Sequence, residues 1–589
     1  MTGKTASQVG GLVEGVTVPN KEFFDDQIFQ RLVEFVNTLE ADRRSVYDYG
    51  AVGDSTTEDG SSMQDAIDAI AANGGLITIP PGKYLMTDSE LQLRSRQTLQ
   101  GVLGASKLEL DKTAALPTSQ GVSVGQDSVR LVVIKGLEID GNASDAAAYS
   151  QHDHGIEIWN GSTAGRGKYV LIEDCYIHSV SGDGIYVHGY DWVIINRCFI
   201  EVDSLDTSEA QGRNGIAVVE GDNIIITNNI IYGGFPAAID IEPNASDSTN
   251  NLLIADNVIT KTFGYGISLN ASQSNAGADR NVITNNTILN STDAGIRVQD
   301  TDNFLIADNK VFAGQSIGIN IRSNNHEGII RDNEVSNNDQ HGILIGEDCT
   351  NILVEGNTSY ENTGAGIRVA GSSGHELRYI TVKDNVCRDN DSGDSDTHSG
   401  IHINYMNKSY VNNNFCYDSQ SSATQMYGFD ITQCDSIFIG LQNTGFDNKT
   451  RLMKTAALTA VTRGMSASYA FSDTNTAISQ TNVAIPFSGS SDVDEGLELP
   501  YDGQIVGITA SANANPSAGT ATLRPAINGI PKALTVVLQN GSQLGHNFDI
   551  GNDANLAFTA DDTLRALITT DGSWSPTTND VTVTILVRY

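Results

Sequence analysis

The chain holds 589 residues, and its 72 acidic against 35 basic side chains leave a formal net charge of −37. Such a surplus argues against nucleic acid as a partner, since phosphate contacts need clustered Lys and Arg. No apolar run reaches the roughly 18 residues of a membrane span, so membrane insertion is not expected.

Residues 1–45 form an N-terminal segment that begins MTGKTASQVGG, without the charged and apolar regions of a secretory signal. Work outside a cell would then need another route, such as assembly into a particle. Within this segment Ile28, Leu32, Phe35 and Leu39 are spaced 4, 3 and 4 apart, with Asp25 and Asp26 ahead of them. That spacing predicts one short amphipathic helix over 21–42, too brief to be stable alone. It would cap the next domain or associate with copies of itself.

Residues 46–86 read as a strand, a polar turn, a helix with Met63, Ala66, Ile67 and Ile70 on one face, a strand at 76–79, and a Pro-Pro-Gly turn. Tyr49-Gly50-Ala51, Gly53-Asp54, Gln64, Ala66-Ile67-Asp68, Gly74-Gly75 and Pro81-Gly82-Lys83-Tyr84 occur in an order that resembles the opening of the pectate-lyase-like superfamily. The resemblance implies entry into a right-handed parallel β-helix and, with the repeats below, covers about 46–450. Members include polysaccharide lyases, hydrolases, alginate epimerases and many phage tailspikes, so it speaks for fold more than for activity.

From about Gly155 to Gly428 one phrase recurs, Gly-Ile-x-Val/Ile/Leu, as in HGIEI (154–158), DGIYV (183–187), NGIAV (214–218), YGISL (265–269) and AGIRV (294–298). Neighbouring glycines are 23 to 34 residues apart, with a weaker copy at Ala238-Ile239. Units of this length that cannot bury an apolar face alone must stack, and strand-and-turn units without helices stack as a parallel β-helix. A second phrase places Asn at one turn of each rung: TNN (227–229), ADN (255–257), RDN (331–333) and others to NNN (412–414). Stacked Asn residues tolerate left-handed turns and hydrogen-bond to the next copy, so these are read as scaffold. Cys175 aligns with Cys198, and Cys387 with Cys416. Two disulfides are geometrically allowed, with stacked buried thiols the favoured alternative.

Residues 451–480 read as a linker or end-cap. From 481 to 589, short alternating segments at 504–512, 521–527, 533–539, 564–570 and 581–589 predict an antiparallel β-sandwich. The expected fold class is therefore all-β: a right-handed parallel β-helix with a short N-terminal helix and a C-terminal antiparallel sandwich.

In the repeated phrase Ile and Val alternate inward, so the intervening residues form outward columns. One column runs Glu157, Tyr186, Ala217, Asp240, Ser268, Arg297, Asn320, Leu344, Arg368, His402; the next runs Trp159, His188, Val219, Glu242, Asn270, Gln299, Arg322. Such a strip suits a polysaccharide. Asp240 and Glu242, about 7 Å apart on one strand, suit a carboxylate pair flanking a water. Calcium binding or plain solvation is the alternative. Glu157, Tyr186 and His188 form a second candidate catalytic group, since His and Tyr can serve as base and acid beside a uronate. Trp159, His154, Asp183, Asn270, Arg297, Gln299 and Arg322 are the candidate glycan contacts. The NTD, DD, GHG and RIK signatures of polygalacturonase-type hydrolases are missing, and QHDHG (151–155) only loosely echoes the DPHE motif of alginate epimerases.

The expectation is a virion-associated spike or fibre protein that binds cell-surface polysaccharide for host attachment and sometimes cleaves it. It would be a homotrimer held to other virion proteins through its N-terminal segment. A stand-alone extracellular lyase, hydrolase or epimerase, or a non-catalytic adhesive protein, are the alternatives. No cofactor is required, although calcium would suit the Asp-rich turns. With 14 Lys against 21 Arg, the acidity fits adaptation to high salt as well as it fits an ordinary soluble surface.

Overall fold

The computed structural model describes residues 42–87, 90–111, 121–125, 129–142, 152–161, 165–202, 213–245, 247–271, 277–393, 395, 397–440, 442–456, 458, 462–463, 466–473, 476–477, 479–486, 497–499, 503–548 and 554–588. The helix expected over 21–42 lies almost wholly outside them. Two compact units divide the chain, one reaching Ile437 and adding 442–460, the other built from 438–441 and Val461–Tyr589.

The first unit is a parallel β-helix. Three long sheets run side by side, and each strand pairs in parallel with its counterpart one turn away. The third sheet, which carries the outward columns, has 14 strands, from Leu91–Leu93 to Arg451–Ala456. Ile, Val and Leu fill the interior of successive rungs, as in Ile156, Ile185, Ile216, Ile239, Ile267 and Ile296, all fully buried. The glycine opening each phrase sits where the next rung approaches too closely for a side chain. A Cβ on Gly184 would lie 2.6 Å from the Gly215 carbonyl oxygen.

The Asp-Asn phrase divides two jobs between neighbouring residues. The middle residue turns the corner: Asn228, Asp256, Asn285, Asp308, Asp332, Asp384 and Asn413 all have φ between 54° and 59°. Asn and Asp carry this left-handed conformation at lower cost than other non-glycine residues. The third residue points inward and builds a ladder. Asn309 donates through its main-chain N–H (3.0 Å) and its amide (3.0 Å) to Asn333 Oδ1, and Asn333 repeats both bonds to Asn357 (3.1 and 2.9 Å). Asn333 also donates to the Ile306 carbonyl at 3.0 Å. A second ladder at another corner, Asn338–Asn362–Asn390–Gln425, follows the same rule and was not anticipated.

Two details differ from expectation. Val46–Tyr49 forms a 3-10 turn in place of a strand, because Ser45 and Asp48 make a reciprocal cap and Gly50 closes it at φ 101°. Residues 451–480, read as linker or end-cap, contain the strand Arg451–Ala456, paired with Tyr427–Thr432, and the strand Ser466–Asp473. All six cysteines are free and buried.

The second unit holds two antiparallel sheets. Ser466–Asp473 pairs with Val581–Arg588, which pairs with Gly503–Ala512; Thr520–Ile527 pairs with Thr563–Thr570. Their inner faces share one core that includes Phe471, Ile508, Leu523, Ile568, Trp574 and Val583.

The ladder and the corner should respond differently to mutation. Asn333→Ala strands buried donors and acceptors on both neighbouring rungs and should lower unfolding free energy by about 3 kcal/mol. Asp332→Gly, which keeps the left-handed corner, should cost less than about 1 kcal/mol. Urea unfolding followed by circular dichroism reads both; equal losses would show that the ladder carries no special share of stability.

Candidate functional site

Register on the third sheet brings the predicted residues together. Glu157 pairs with Tyr186, Tyr186 with Ala217, Ala217 with Asp240, and Asp240 with Ser268 and then Arg297. Trp159 pairs with His188, and Asn270 with Gln299. Glu242 follows its strand, and its N–H donates to the Val218 carbonyl at 3.0 Å, so it shares the outward face with Asp240. Tyr186 feels the charges of Asp183, Glu242 and Glu157, so the two groups proposed from sequence form one site.

One correction concerns the second column. A bulge after Val187 shifts the pairing, so His188 faces Glu220 and not Val219. His188 Nε2 then lies 3.9 Å from Glu220 Oε2 and 3.9 Å from Asp247 Oδ2. The three ligand atoms all lie within 4.8 Å of one another. One imidazole with two carboxylates suits a transition-metal ion better than calcium, which prefers an all-oxygen shell. Arg166 already serves part of this acidic group, at 3.0 Å from Asp191 Oδ1 and 3.1 Å from both Glu220 Oε1 and Asp222 Oδ2.

Beneath the strip, Asp183 and His154 are almost fully buried, so their expected direct contact with glycan gives way to a supporting part. Asp183 Oδ1 accepts from the main-chain N–H (2.9 Å) and amide (3.1 Å) of Asn214. Its own N–H donates to His154 Nδ1 at 3.0 Å, which places the proton of the neutral imidazole on Nε2. The His154 ring stacks on Tyr186 with centroids 4.6 Å apart and planes 9° from parallel. Arg213, which the sequence did not single out, lies 3.5 Å from Glu242 and 4.0 Å from Asp183.

Burial without enough countercharge sets the protonation of this site. Asp240 is 5% exposed; burial, then the Glu242 charge, push its carboxyl up to about 8. Burial raises Asp183 to about 7 against the pull of Arg213 and Asn214. Burial, with Glu90 adding to it, raises Glu157 to about 7. Glu242 is raised by burial and drawn back by Arg213. Tyr186 is raised by burial and by its acidic neighbours, so its phenol stays protonated. Several acids that hold protons near neutrality, beside others that do not, are what proton transfer requires.

Further along the face the character changes. Arg297 lies over the Tyr265 ring, 4.9 Å from its centroid, and bonds to Gln299. Trp159 is half-buried and Arg322 exposed. Asn270 Oδ1, Arg297 Nε and Asn320 Oδ1 are buried atoms with no hydrogen-bond partner among the described residues.

Comparison with known proteins agrees with this architecture. The family model described as right handed beta helix region matches residues 120–278 and 275–415, half of the chain, and the chain belongs to that family. A model for rhamnogalacturonase A/epimerase, pectate lyase-like, matches residues 43–130. Mannuronan C5-epimerase AlgE2 of Azotobacter vinelandii is 24% identical over 238 residues, 34% of this chain and 23% of that protein. The pre-neck appendage protein of Bacillus phage B103 is 24% identical over 295 residues, 41% of this chain and 33% of that protein. The match thus spans a third or less of these relatives. The N-terminal fragment of bacteriophage Phi29 gene product 12 shares the fold with a TM-score of 0.52 at 13% identity, over 73% of this chain and 74% of that one.

A stability test follows from the raised carboxyls. Between the ordinary Asp value of 3.8 and the folded values of about 7 and about 8, the native state holds protons that the unfolded chain releases. Their contribution to stability is therefore present at low pH and is lost as pH rises through about 8. Calorimetric midpoints measured across this window should fall, and the double variant Asp183→Asn, Asp240→Asn should show a flatter slope. An unchanged slope would mean that neither group is raised.

Proposed function

We propose that this protein is a phage-appendage type of β-helix that binds a cell-surface polysaccharide along the outer face of its third sheet and breaks a glycosidic bond at Asp240 and Glu242. The observation that carries the reading is Asp240 itself. It occupies an outward register position, is buried among neighbouring side chains, and keeps its proton near neutrality beside a second carboxyl group. Protonated Asp240 donates to the leaving glycosidic oxygen. Glu242 takes a proton from the water that attacks the anomeric carbon from the other side. Their i, i+2 spacing, about 7 Å, falls in the range of inverting hydrolysis. Arg213 favours the ionised form of Glu242, which a base requires.

The virion part of the proposal is supported by the likeness to the phage B103 appendage protein. Association as a homotrimer would have an apolar contact available. Phe199, Ile230 and Val258 stand exposed on successive rungs of the second sheet. Nucleic acid has no place in this reading, nor does membrane insertion, and among the described residues no helix is long and apolar enough to cross a bilayer.

A second reading has its own observation. The protonated Tyr186 phenol stacked on neutral His154 is a donor arrangement suited to uronate lysis or epimerisation. The likeness to a mannuronan epimerase points the same way.

Incubation with host-surface polysaccharides separates these readings. Hydrolysis yields new reducing ends without ultraviolet absorbance, lysis yields the absorbance of an unsaturated uronate, and epimerisation yields deuterium uptake from heavy water without cleavage. Under the first reading, Asp240→Asn and Glu242→Gln each lower kcat by about 10²–10⁴-fold. Full activity in either variant would overturn the carboxylate pair. Sedimentation velocity on the intact chain tests the trimer.

A further inference from the structure

About five rungs beyond Asp240, some 24 Å at the usual strand spacing, the same face carries a second group of polar side chains. Leu344 pairs with Arg368, Arg368 with His402, His402 with Asp430, and Asp430 with Lys454, one residue per rung in a single outward column. His341 and His398 stand beside the column with their rings 5.4 Å apart, edge to face.

Arg368 is the anomaly. It is half-buried, and among the described residues its side chain makes one hydrogen bond, from Nη1 to His402 Nδ1 at 3.3 Å. Among the described residues it has no carboxylate in ion-pair contact, although the chain holds 72 acids. A cation withdrawn from water without a counterion is costly unless something else supplies the charge. Asp430, two rungs along the column, fills that role only in part: its charge opposes the effect of burial on Arg368, but its Oδ2 is held by Lys454 at 2.9 Å. Other polar atoms around it are also unmatched. Asp430 Oδ1, Asn404 Oδ1 and His398 Nδ1 are buried with no partner among the described residues.

One unpaired cation beside several unpaired acceptors is the complement of a sugar acid, whose anionic group meets Arg368 while its hydroxyls donate to Asp430 and Asn404. We propose that Arg368, His402, Asp430, Lys454, His341 and His398 form a second carbohydrate site, separate from the Asp240 site, that binds an acidic sugar of a polysaccharide. The proposal rests on reading this face as a glycan surface. A free inorganic anion would satisfy Arg368 and leave the acceptors empty. Arg297, two rungs from Asp240 and without an acid in ion-pair contact among the described residues, lies on the path between the two sites. The histidines add no competing positive charge: burial, then Arg368, hold His402 down at about 4 and His341 at about 3. Burial also lowers His398, with Asp391 opposing and Arg368 adding to it.

Fluorescein-labelled polygalacturonate, dextran sulfate and neutral dextran, titrated into the full chain at fixed ionic strength and read by anisotropy, test the proposal. The acidic polymers should bind at least about tenfold more tightly than dextran, and Arg368→Gln should remove about tenfold or more of that affinity. Arg280→Gln removes an equal charge from the exposed partner of Asn251, away from this column, and should change nothing. Lys454→Gln, at a more accessible residue, provides a second variant should Arg368→Gln lower the melting temperature. Asp240→Asn should keep the binding even where it abolishes cleavage, so failure of the catalytic reading and failure of this site give different results. Equal losses in the Arg368 and Arg280 variants, loss of binding in Asp240→Asn, or complete displacement by inorganic sulfate at matched charge would each overturn the second site.

Discussion

The stack depends on hydrogen bonds closed inside its corners. From Asn257 onward each Asn of the first ladder accepts two bonds from the rung on one side, and most donate both to the next Asn and to a main-chain carbonyl. The ladder thereby satisfies buried main-chain groups at the corner, as where Asn333 accepts from the Asn309 N–H and donates to the Ile306 carbonyl. The bonds also forbid slippage. A shift of one residue along a rung would send the ladder amide outward and the Ile column with it. Register is thereby specified at each turn, and residues 23 to 34 apart along the chain become neighbours about 4.8 Å apart.

This regularity leaves the outward positions as the free variable, and the third sheet uses them unevenly. Its earlier rungs collect Glu157, Asp183, Asp240 and Glu242 around one Arg213, so acids outnumber the nearby cation. Flat strands would leave such groups hydrated. Here neighbouring rungs cover them, and the shortage of countercharge becomes retained protons. Later rungs of the same column do the reverse, placing Arg297 and Arg368 where, among the described residues, no acid is in ion-pair contact with them. A surface this acidic repels polyanions at long range, so local cations of this kind mark where the general rule is broken.

Much of this was legible in the sequence because it repeats. The Gly-Ile phrase and the Asp-Asn phrase give period and corner, and counting from them put Glu157, Tyr186, Asp240 and Arg297 in one column as observed. What counting missed are departures from the period. The bulge at His188 exchanges Val219 for Glu220, and a single residue of slack is invisible in a pattern of two. Arg213 and Asp247 lie off the strands, where no repeat predicts direction. Asp183 precedes its glycine as an ordinary turn acid would, and only the fold shows it closed over by His154 and Asn214. The second Asn ladder was hidden because Gln425 interrupts its spelling while keeping its chemistry.

The contrast between the two kinds of buried Asn argues for function more directly than any single residue. At the corners, Asn229, Asn257, Asn286, Asn309, Asn333, Asn357 and Asn385 are buried and fully engaged. On the outer face of the third sheet, Asn270, Asn320 and Asn404 are shielded by their neighbours, yet each keeps an Oδ1 without a partner. The same residue type, on the same rungs, is satisfied on one side and not on the other. Unpartnered buried atoms also occur elsewhere on the coil, among them Thr98 Oγ1 and Arg331 Nε on the first sheet, but those of Asn270, Arg297, Asn320, Asn404 and Asp430 share the outer face of the third sheet. Unmet donors and acceptors on the rungs of Asn270, Arg297 and Asn320, and again on those of Asn404 and Asp430, suit a polymer that carries hydroxyls and charge along its length. A ligand that completes those bonds recovers desolvation already incurred on folding, and so binds with its polar groups already matched.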